Sequence, residues 1–390
     1  MSLNDLPDNC LWKILENVDG VKELIQLSKV CSRWSDLITL RFNRVKYLQT
    51  MDTDSTEDKV DYIDANCLWI NHDKNCNDDW NLIEFFPNLK IIDTALDEAF
   101  NLPKIVKNNP QIKGLIGMHS LSKCGYLENI EMCAADFRFD FDYKKVFRPD
   151  QLKQVSGIFF AMKDLPSFIE YFPNLKRLNL QLDGADGYFY NGPNLSSLKI
   201  LELNTIFLVD QFTGFHFMDF CPSLESASIS YWAYDNYIDE SIKNYNLRDL
   251  VIVNGRFWYA GTDDIRLGVF SWPLLKKLLS KFPNLHHLAI RNFDKLDVCN
   301  FDLEELIKLL PKLEIFDLRK CKKVTQKSAD FLTKYCLRKN RSIAIYYDCE
   351  YEPVEWPDLV DDHEPICYGF DFMKHCFYKE FSYLPDLIDE

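Results

Sequence analysis

The sequence predicts an α/β fold in which a helical N-terminal segment precedes a solenoid of parallel strands and helices. Two observations indicate the solenoid: a frame Leu-x-x-φ-x-φ, where φ is apolar, recurs along the chain, and amphipathic stretches lie between its copies. A third observation is that the N-terminal segment has apolar residues at helical spacing but no copy of the frame. A unit of one short strand and one helix can bury its apolar side only against the neighbouring units, which is the organisation of a solenoid.

Composition allows a large folded core and limits the possible partners. The 390 residues are 47% hydrophobic and 14% aromatic, far from the composition of disordered chains. The net charge of -15 argues against general binding to nucleic acids or anionic membranes. The opening "MSLNDLPDNC" has no apolar core of a secretion signal, and thirteen cysteines are scattered without a compact framework. We therefore expect reduced thiols and a cytoplasmic or nuclear location, or both.

The N-terminal segment shows two helical patterns. Pro7 suits a helix start, and Leu11, Ile14, Leu15 and Val18 then follow on one stripe. After a break at Asp19-Gly20, a second pattern carries apolar residues on one side, at Leu24, Leu27, Cys31, Trp34 and Ile38, with Val30 and Leu37 beside them. These apolar positions cover more surface than the contact between the two helices would bury. Part of that apolar surface is therefore expected to contact a partner.

The repeat frame predicts a series of short strands. Clear copies begin at Leu89, Leu175, Leu198, Leu224, Leu247, Leu285 and Leu313, weaker copies at Ile112, Leu127 and Leu152, and a last one lies in "NRSIAIYY". The alternation within each copy is typical of a strand with apolar residues turned inward. The stretches "WPLLKKLLSKF", "LEELIKLL" and "SADFLTKYC" are expected to be helices between strands.

Residues that flank the inward pair of each strand are predicted to face the concave side, because side chains alternate along a strand. We call this set the polar strip; its candidate binding residues are Arg177, Asn179, Gln181, Glu202, Asn204, Ser228, Asp249, His287, Arg291, Asp317 and Arg319. The whole concave face is mixed and mostly uncharged, which suits a protein or peptide better than a polyanion, because it also includes Ile200, Ser226, Ser230, Val251, Val253, Ala289 and Ile315. Taken singly, each residue is better explained as ordinary solvated strand surface, and only the strip as a whole is a binding-site hypothesis.

The C-terminal segment is acidic and aromatic. From residue 350 to 390 there are twelve Asp or Glu, two Lys and nine aromatic residues. Disordered acidic tails carry few aromatics, so this segment is expected to dock on the last repeats, near "RKCKKVTQK" and "RKNR". Two interpretations stay open: a simple end cap, or a segment that covers part of the concave face.

The sequence offers little that indicates chemistry. Two groups of possible metal ligands were considered: Cys67, His72 and Cys76, and His363, Cys367, His375 and Cys376. Neither has the paired spacing of a zinc site, so no metal and no cofactor are expected. No phosphate-binding loop, nucleophile elbow or H-E-x-x-H helix occurs. We therefore expect no catalytic residues and a protein that is not an enzyme.

Two stretches carry a resemblance to known families. "LPDNCLWKILENVDGVKELIQLSKVCSRWSDL" resembles the F-box motif, with its opening Leu-Pro and its closing Val-Cys-x-x-Trp. "LEIFDLRKCKKVT" resembles a ribonuclease-inhibitor-like leucine-rich repeat with Cys321 at the turn, although Ile206 and Phe293 stand where other copies should have Asn or Cys. The resemblance to F-box/leucine-rich-repeat proteins implies a three-helix F-box at 1–45, ten to eleven repeats at 46–348 and a tail at 349–390.

The same resemblance implies a function. F-box/leucine-rich-repeat proteins are substrate receptors of SCF ubiquitin ligases, in which the F-box binds an adaptor subunit, and through it a cullin, while the repeats bind a target protein. The residues expected to contact the adaptor are Leu6, Pro7, Leu11, Ile14, Leu15, Leu24, Leu27, Val30, Cys31 and Trp34. Alternatives are a helical cap on the solenoid, a scaffold acting outside ubiquitination, and a sensor of a small ligand.

Overall fold

The computed structural model describes residues 3–52, 66–72, 82–96, 102–117, 121, 124–137, 141–183, 187–254, 272–293, 300–321, 324–349, 352–362 and 364–389. The chain divides into two compact units, Met1–Ser156 and Gly157–Glu390. Each unit combines helices with parallel strands, which is a mixed α/β fold consistent with a solenoid. The predicted boundaries at 45/46 and 348/349 stay predictions.

The first unit opens with three helices, α1 (Asp8–Glu16), α2 (Val21–Ser28) and α3 (Ser32–Arg44). Pro7 occupies the N-cap of α1, where its missing N–H leaves no unpaired donor. The expectation of a single second pattern across residues 24–38 is wrong, because the chain leaves the helical conformation between Ser28 and Ser32. The two halves of that pattern therefore lie on different helices.

The first unit continues with five strands and three short helices. The strands are β1 (Tyr47–Asp52), β2 (Cys67–His72), β3 (Ile91–Leu96), β4 (Gly114–Ile116) and β5 (Met132–Asp136), and the helices are α4 (Leu82–Phe85), α5 (Leu102–Asn108) and α6 (Tyr143–Val146). The strands are parallel, in the order β5-β4-β3-β1-β2. The frame does not predict β1 and β2, and β1 lies between β2 and β3 rather than following the order of the sequence.

Strand β6 (Gln154–Ala161) crosses the boundary between the units. The second unit adds the parallel strands β7 (Arg177–Asp183), β8 (Ile200–Thr205), β10 (Ser226–Tyr231), β12 (Asp249–Asn254), β13 (His287–Arg291), β14 (Ile315–Asp317) and β15 (Ala344–Tyr346). Its helices are α7 (Leu165–Tyr171), α8 (Gly214–Phe217), α9 (Trp272–Ser280), α10 (Asn300–Leu309) and α11 (Gln326–Arg338). Two small parallel sheets stand apart: β9 (Val209–Phe212) with β11 (Ala233–Asn236), and β16 (Ile366–Tyr368) with β17 (Leu387–Asp389).

The leucine frame fixes where the strands begin. In the second unit β7, β8, β10, β12, β13 and β14 each start two residues after the first leucine of a copy. These leucines are buried, as are the inward residues of the strands that follow them, Leu178 and Leu180 among them. The copy at Leu127 predicts a strand that begins three residues before β5 does. The residue two positions before β5 is the buried Ile130, which takes the place that the first leucine has in the other copies.

Turn positions after the strands are filled in more than one way. The thiol of Cys321, which is buried, donates to the carbonyl oxygen of Ile290 across 3.1 Å. Phe293 instead fills its turn with a buried ring, 6.4 Å from that of Tyr231. Among the described residues, no helix has the length and apolar character needed to cross a membrane.

Candidate functional site

The segment that contains the three N-terminal helices and the turns beside them exposes several large apolar side chains. Leu3, Ile14, Ile25, Val30 and Leu40 have 54, 41, 37, 53 and 55% of their surface exposed. Apolar side chains are normally withdrawn from water, and their accumulation on one small element marks an interaction surface more often than chance exposure does.

The ten residues predicted to contact an adaptor fall into three groups. Pro7, Ile14 and Val30 are exposed; Leu6, Leu27 and Cys31 are partly buried; Leu11, Leu15, Leu24 and Trp34 are buried in the interior of the first unit. The four buried side chains hold the helices together in this chain. Contact between any of the ten and an adaptor stays a prediction.

Arg33, which the sequence analysis missed, organises the segment before α1. Its guanidinium donates to Asp8 Oδ1 across 2.6 Å and to the carbonyl oxygens of Asn4 and Leu6 across 2.8 and 2.6 Å. These bonds tie residues 4–8 to the start of α3, and they hold the predicted Leu6-Pro7 pair in place. No periodicity in the sequence signals a contact between residues so far apart.

Arg41 connects the helices to the strands of the first unit. Its side chain is fully buried, and Nη2 donates to the carbonyl oxygens of Glu16 and Cys67 across 3.4 and 3.3 Å. The backbone N–H of Trp69 also donates to the carbonyl of Asp19, across 2.8 Å. The ends of α1 and α3 are therefore fixed to edge strand β2.

The polar strip of the second unit contains two buried ionic clusters. In the first, Arg177 Nη2 lies 2.6 Å from Glu202 Oε2, and both side chains are at most 1% exposed. Nη1 of Arg177 donates to the carbonyl oxygen of Asp386 across 2.9 Å, and Nη2 also donates to the carbonyl of Pro385. Burial lowers the pKa of Arg177, but Glu202 outweighs that effect and leaves the pKa raised.

The second cluster consists of Asp317 between two arginines. Arg291 and Arg319 donate through Nη2 to the same oxygen, Oδ2, across 2.8 and 2.9 Å. The backbone N–H and Nε of Arg319 donate to the other oxygen, Oδ1, across 3.0 and 3.1 Å. Burial alone would raise the pKa of Asp317, but the two guanidinium groups hold it below its usual value.

Residues 352–389, here called the tail, cover the polar strip. Arg291 donates to the carbonyl oxygens of Phe377 and Lys379 across 2.7 and 3.3 Å, and Arg319 donates to that of Pro357 across 2.6 Å. Of the two open interpretations, these contacts match the segment that covers the strand face.

The expectation that the polar strip is a solvated surface is therefore wrong. Its residues divide into a buried group, Arg177, Asn179, Glu202, Ser228, Arg291, Asp317 and Arg319, and a partly buried group, Gln181, Asn204, Asp249 and His287. The cause is the tail, whose carbonyl groups and apolar side chains occupy this face. Target binding by these residues stays a prediction.

The tail also brings together three possible metal ligands, from Glu364, Cys367 and His375, within 4.8 Å of one another. A cation is already present there, because Lys379 Nζ lies 3.2 Å from Glu364 Oε2. The contact with His375, followed by Lys379, lowers the pKa of Glu364 to about 2 against the opposing effect of burial. Cys376 faces Glu202 instead, across 3.3 Å. Cys76, His363 and the side chain of His72 lie outside the described residues.

Comparison with known proteins identifies the first helices. Residues 3–46 match the family model of the F-box domain, and the match ends just before β1. No curated protein matches the chain. The leucine-rich-repeat expectation therefore depends on the leucine frame and on the parallel strands. Helices α1, α2 and α3 of this chain form an F-box domain.

Proposed function

We propose that the chain is the substrate-recognition subunit of an SCF-type ubiquitin ligase. The F-box match supports this proposal most directly, because F-box domains bind Skp1-type adaptors in SCF complexes. In the proposal the adaptor connects the chain to a cullin, and the second unit, a leucine-rich-repeat array, binds the target. The protein would act in the cytoplasm, the nucleus or both.

The chain does no chemistry in this proposal. It holds a target lysine near a ubiquitin-conjugating enzyme carried by another subunit, and so raises the effective concentration of the reacting groups. The identity of the target follows from the surface of the second unit, and the F-box serves only to attach that unit to the ligase.

The exposed apolar side chains of the F-box can offset much of the cost of association. Five such side chains are 37–55% exposed, and burial of the exposed part would contribute on the order of 3–8 kcal/mol in total, about half of the ~1.5–3 kcal/mol for each fully exposed side chain. Association costs about 4–15 kcal/mol in lost freedom of motion. The two quantities are comparable, so the affinity depends on the most exposed members, among which Val30 is 53% exposed.

The proposal is tested by the affinity of the purified chain for a purified Skp1-type adaptor, measured by titration calorimetry. Val30→Asp and Ile14→Asp place a charge on the exposed surface, and each should weaken binding at least about tenfold. Leu337→Asp is the matched control, because Leu337 is 73% exposed on α11 in the second unit. All three variants should unfold at the temperature of the parent chain.

Equal affinities for the parent chain, Val30→Asp and Ile14→Asp would contradict the proposed adaptor surface. Co-purification with a cullin then separates a ligase subunit from a scaffold that acts outside ubiquitination. A chain that binds the adaptor but never recruits a cullin through it would contradict the substrate-receptor function.

A further inference from the structure

The strand face beneath the tail is buried, but it carries the charged and polar residues that are typical of a solvent-exposed surface. Two complete ionic clusters lie there, Arg177 with Glu202 and Asp317 with its two arginines. Side chains of Asn179 and Ser228 are buried beside them. Burying charged pairs contributes little net stability, because the loss of hydration offsets much of their attraction. A permanent contact between two layers would therefore favour apolar residues at these positions.

The tail has secondary structure of its own and shares an apolar cluster with the strands. It forms the two-stranded sheet of β16 and β17 and a helical turn at Met373–Phe377. Most of the cluster comes from the tail, through Cys367, Phe372, Cys376, Phe377, Phe381, Leu384 and Ile388, while the strands contribute Ile200, Val251, Val253 and Ala289. The tail therefore supplies seven of the eleven buried side chains of this cluster, and the strands supply four.

The tail also makes polar contacts with the strip. Three strip arginines donate to five of its carbonyl oxygens, those of residues 357, 377, 379, 385 and 386. At its edge Lys320 pairs with Glu380. Each arginine also keeps a carboxylate partner on the strands when the tail leaves, Glu202 for Arg177 and the shared Asp317 for Arg291 and Arg319. Water can then replace the tail carbonyls as acceptors.

From these observations we propose that the tail is a releasable internal ligand of the polar strip, which closes the strip to targets until it is displaced. The inhibitory role of the tail rests on the proposed function, because the strip is the surface predicted to bind the target. The strip binds a polypeptide by its backbone carbonyl groups, so the competing partner is a peptide segment of a target. Release exposes the charged strip together with four small or branched apolar side chains.

The test uses the full chain with a site-specific protease sequence inserted after Val354, whose side chain is 99% exposed. After cleavage, the C-terminal fragment should dissociate on dilution. The remaining body should stay monomeric and keep a cooperative unfolding transition. A fluorescent synthetic peptide of residues 355–390 should then bind the body, and excess unlabelled peptide should displace it.

Two variants locate the contact. Arg291→Gln should weaken binding of the peptide about tenfold to a hundredfold, because it removes charged donors to two tail carbonyls. Lys320→Glu, at a half-exposed position, should weaken it about threefold to tenfold without affecting folding. The matched control is Lys276→Glu, which breaks a surface pair with Glu305 on α10.

A fragment that never dissociates, or a body that unfolds or aggregates once the fragment has left, would overturn the proposal and make the tail a permanent layer. Equal peptide affinities for Lys320→Glu and Lys276→Glu would also overturn it. Adaptor affinity is measured on the same variants. Failure of the parent chain to bind the adaptor would contradict the proposed F-box function and leave the result on the tail unchanged.

Discussion

Arg291 donates through a single nitrogen, Nη2, to Asp317 across 2.8 Å and to the carbonyl oxygen of Phe377 across 2.7 Å. One guanidinium thus connects β13, β14 and the tail. Because Arg319 shares Asp317, the carboxylate is the common acceptor of both arginines that hold this end of the tail. Loss of the carboxylate would leave the two buried arginines without the negative charge that they share.

Asp317→Asn is expected to destabilise the second unit by about 3–5 kcal/mol, the usual effect of removing one partner from a buried ion pair. The measurement is urea unfolding at pH 7, monitored by the fluorescence of Trp356, which packs 5.3 Å from Tyr346. Glu314→Gln is the matched control, since Glu314 is 61% exposed and pairs with His286 in the same region. The control should change stability by less than about 0.5 kcal/mol. Equal effects of the two substitutions would contradict the role given to Asp317.

The pH dependence of stability should follow from the depressed pKa of Asp317. Its carboxylate is favoured in the folded chain, so it contributes stability at every pH above its unfolded value of about 4. That contribution is lost as the pH falls through the lower pKa of the folded state. The difference in unfolding free energy between the parent chain and Asp317→Asn should therefore be constant from pH 7 to 5 and shrink below about pH 4. A difference that grows on acidification would contradict the assignment.

The strands of the second unit could be predicted from the sequence because their signal is local. A leucine followed by alternating apolar residues is enough to place the start of β7 or β8 within the chain. Strands β1 and β2 lack that leucine, and their position is set by contacts with the F-box helices, such as the bond from Trp69 to Asp19. Local spacing carries no information on such contacts.

The contacts between the tail and the polar strip could not be predicted in detail either, because they join residues that are far apart in the sequence. Arg177 and Asp386, which share a hydrogen bond, are 209 positions apart in the sequence. Composition indicated that an acidic tail with many aromatics would dock, but the acceptors are backbone carbonyls, which every residue has. The side chains of the tail therefore gave no sign of which arginines it meets.

In the F-box, the spacing of apolar residues indicated helices, but neither the break between α2 and α3 nor the direction in which each residue points. Leu24 and Val30 belonged to one predicted group, yet Leu24 is buried and Val30 is 53% exposed. Two apolar stripes overlap on these short helices, one used internally and one exposed. Only the packing against neighbouring elements separates them.

Leu24→Ala should separate stability from adaptor binding. Because Leu24 is fully buried, its truncation should lower the unfolding free energy of the first unit by about 2–5 kcal/mol. Adaptor affinity, measured at a temperature where the variant stays folded, should change less than about threefold. Val30→Asp should show the reverse pattern. An affinity loss as large for Leu24→Ala as for Val30→Asp would indicate that the helices rearrange on binding and bring Leu24 to the adaptor.

Arg41→Met tests the connection between the F-box helices and β2. The substitution keeps most of the buried aliphatic volume but removes the donors to the carbonyls of Glu16 and Cys67. Because two buried carbonyl acceptors lose a charged donor, the unfolding free energy of the first unit should fall by about 2–4 kcal/mol. Hydrogen exchange should accelerate at the backbone N–H of Trp69, which donates to Asp19 in the same contact.

Arg44→Met is the control for this experiment. Arg44 lies one turn further along α3, 57% exposed, with its guanidinium over the ring of Trp12 and 3.7 Å from Glu16. An exposed ion pair and an exposed cation–π contact contribute about 1 kcal/mol or less each. Unchanged exchange at Trp69 in Arg41→Met would show that the buried guanidinium is not what holds the helices to the strand. Acceleration in Arg41→Met but not in Arg44→Met would identify the buried guanidinium as the connection.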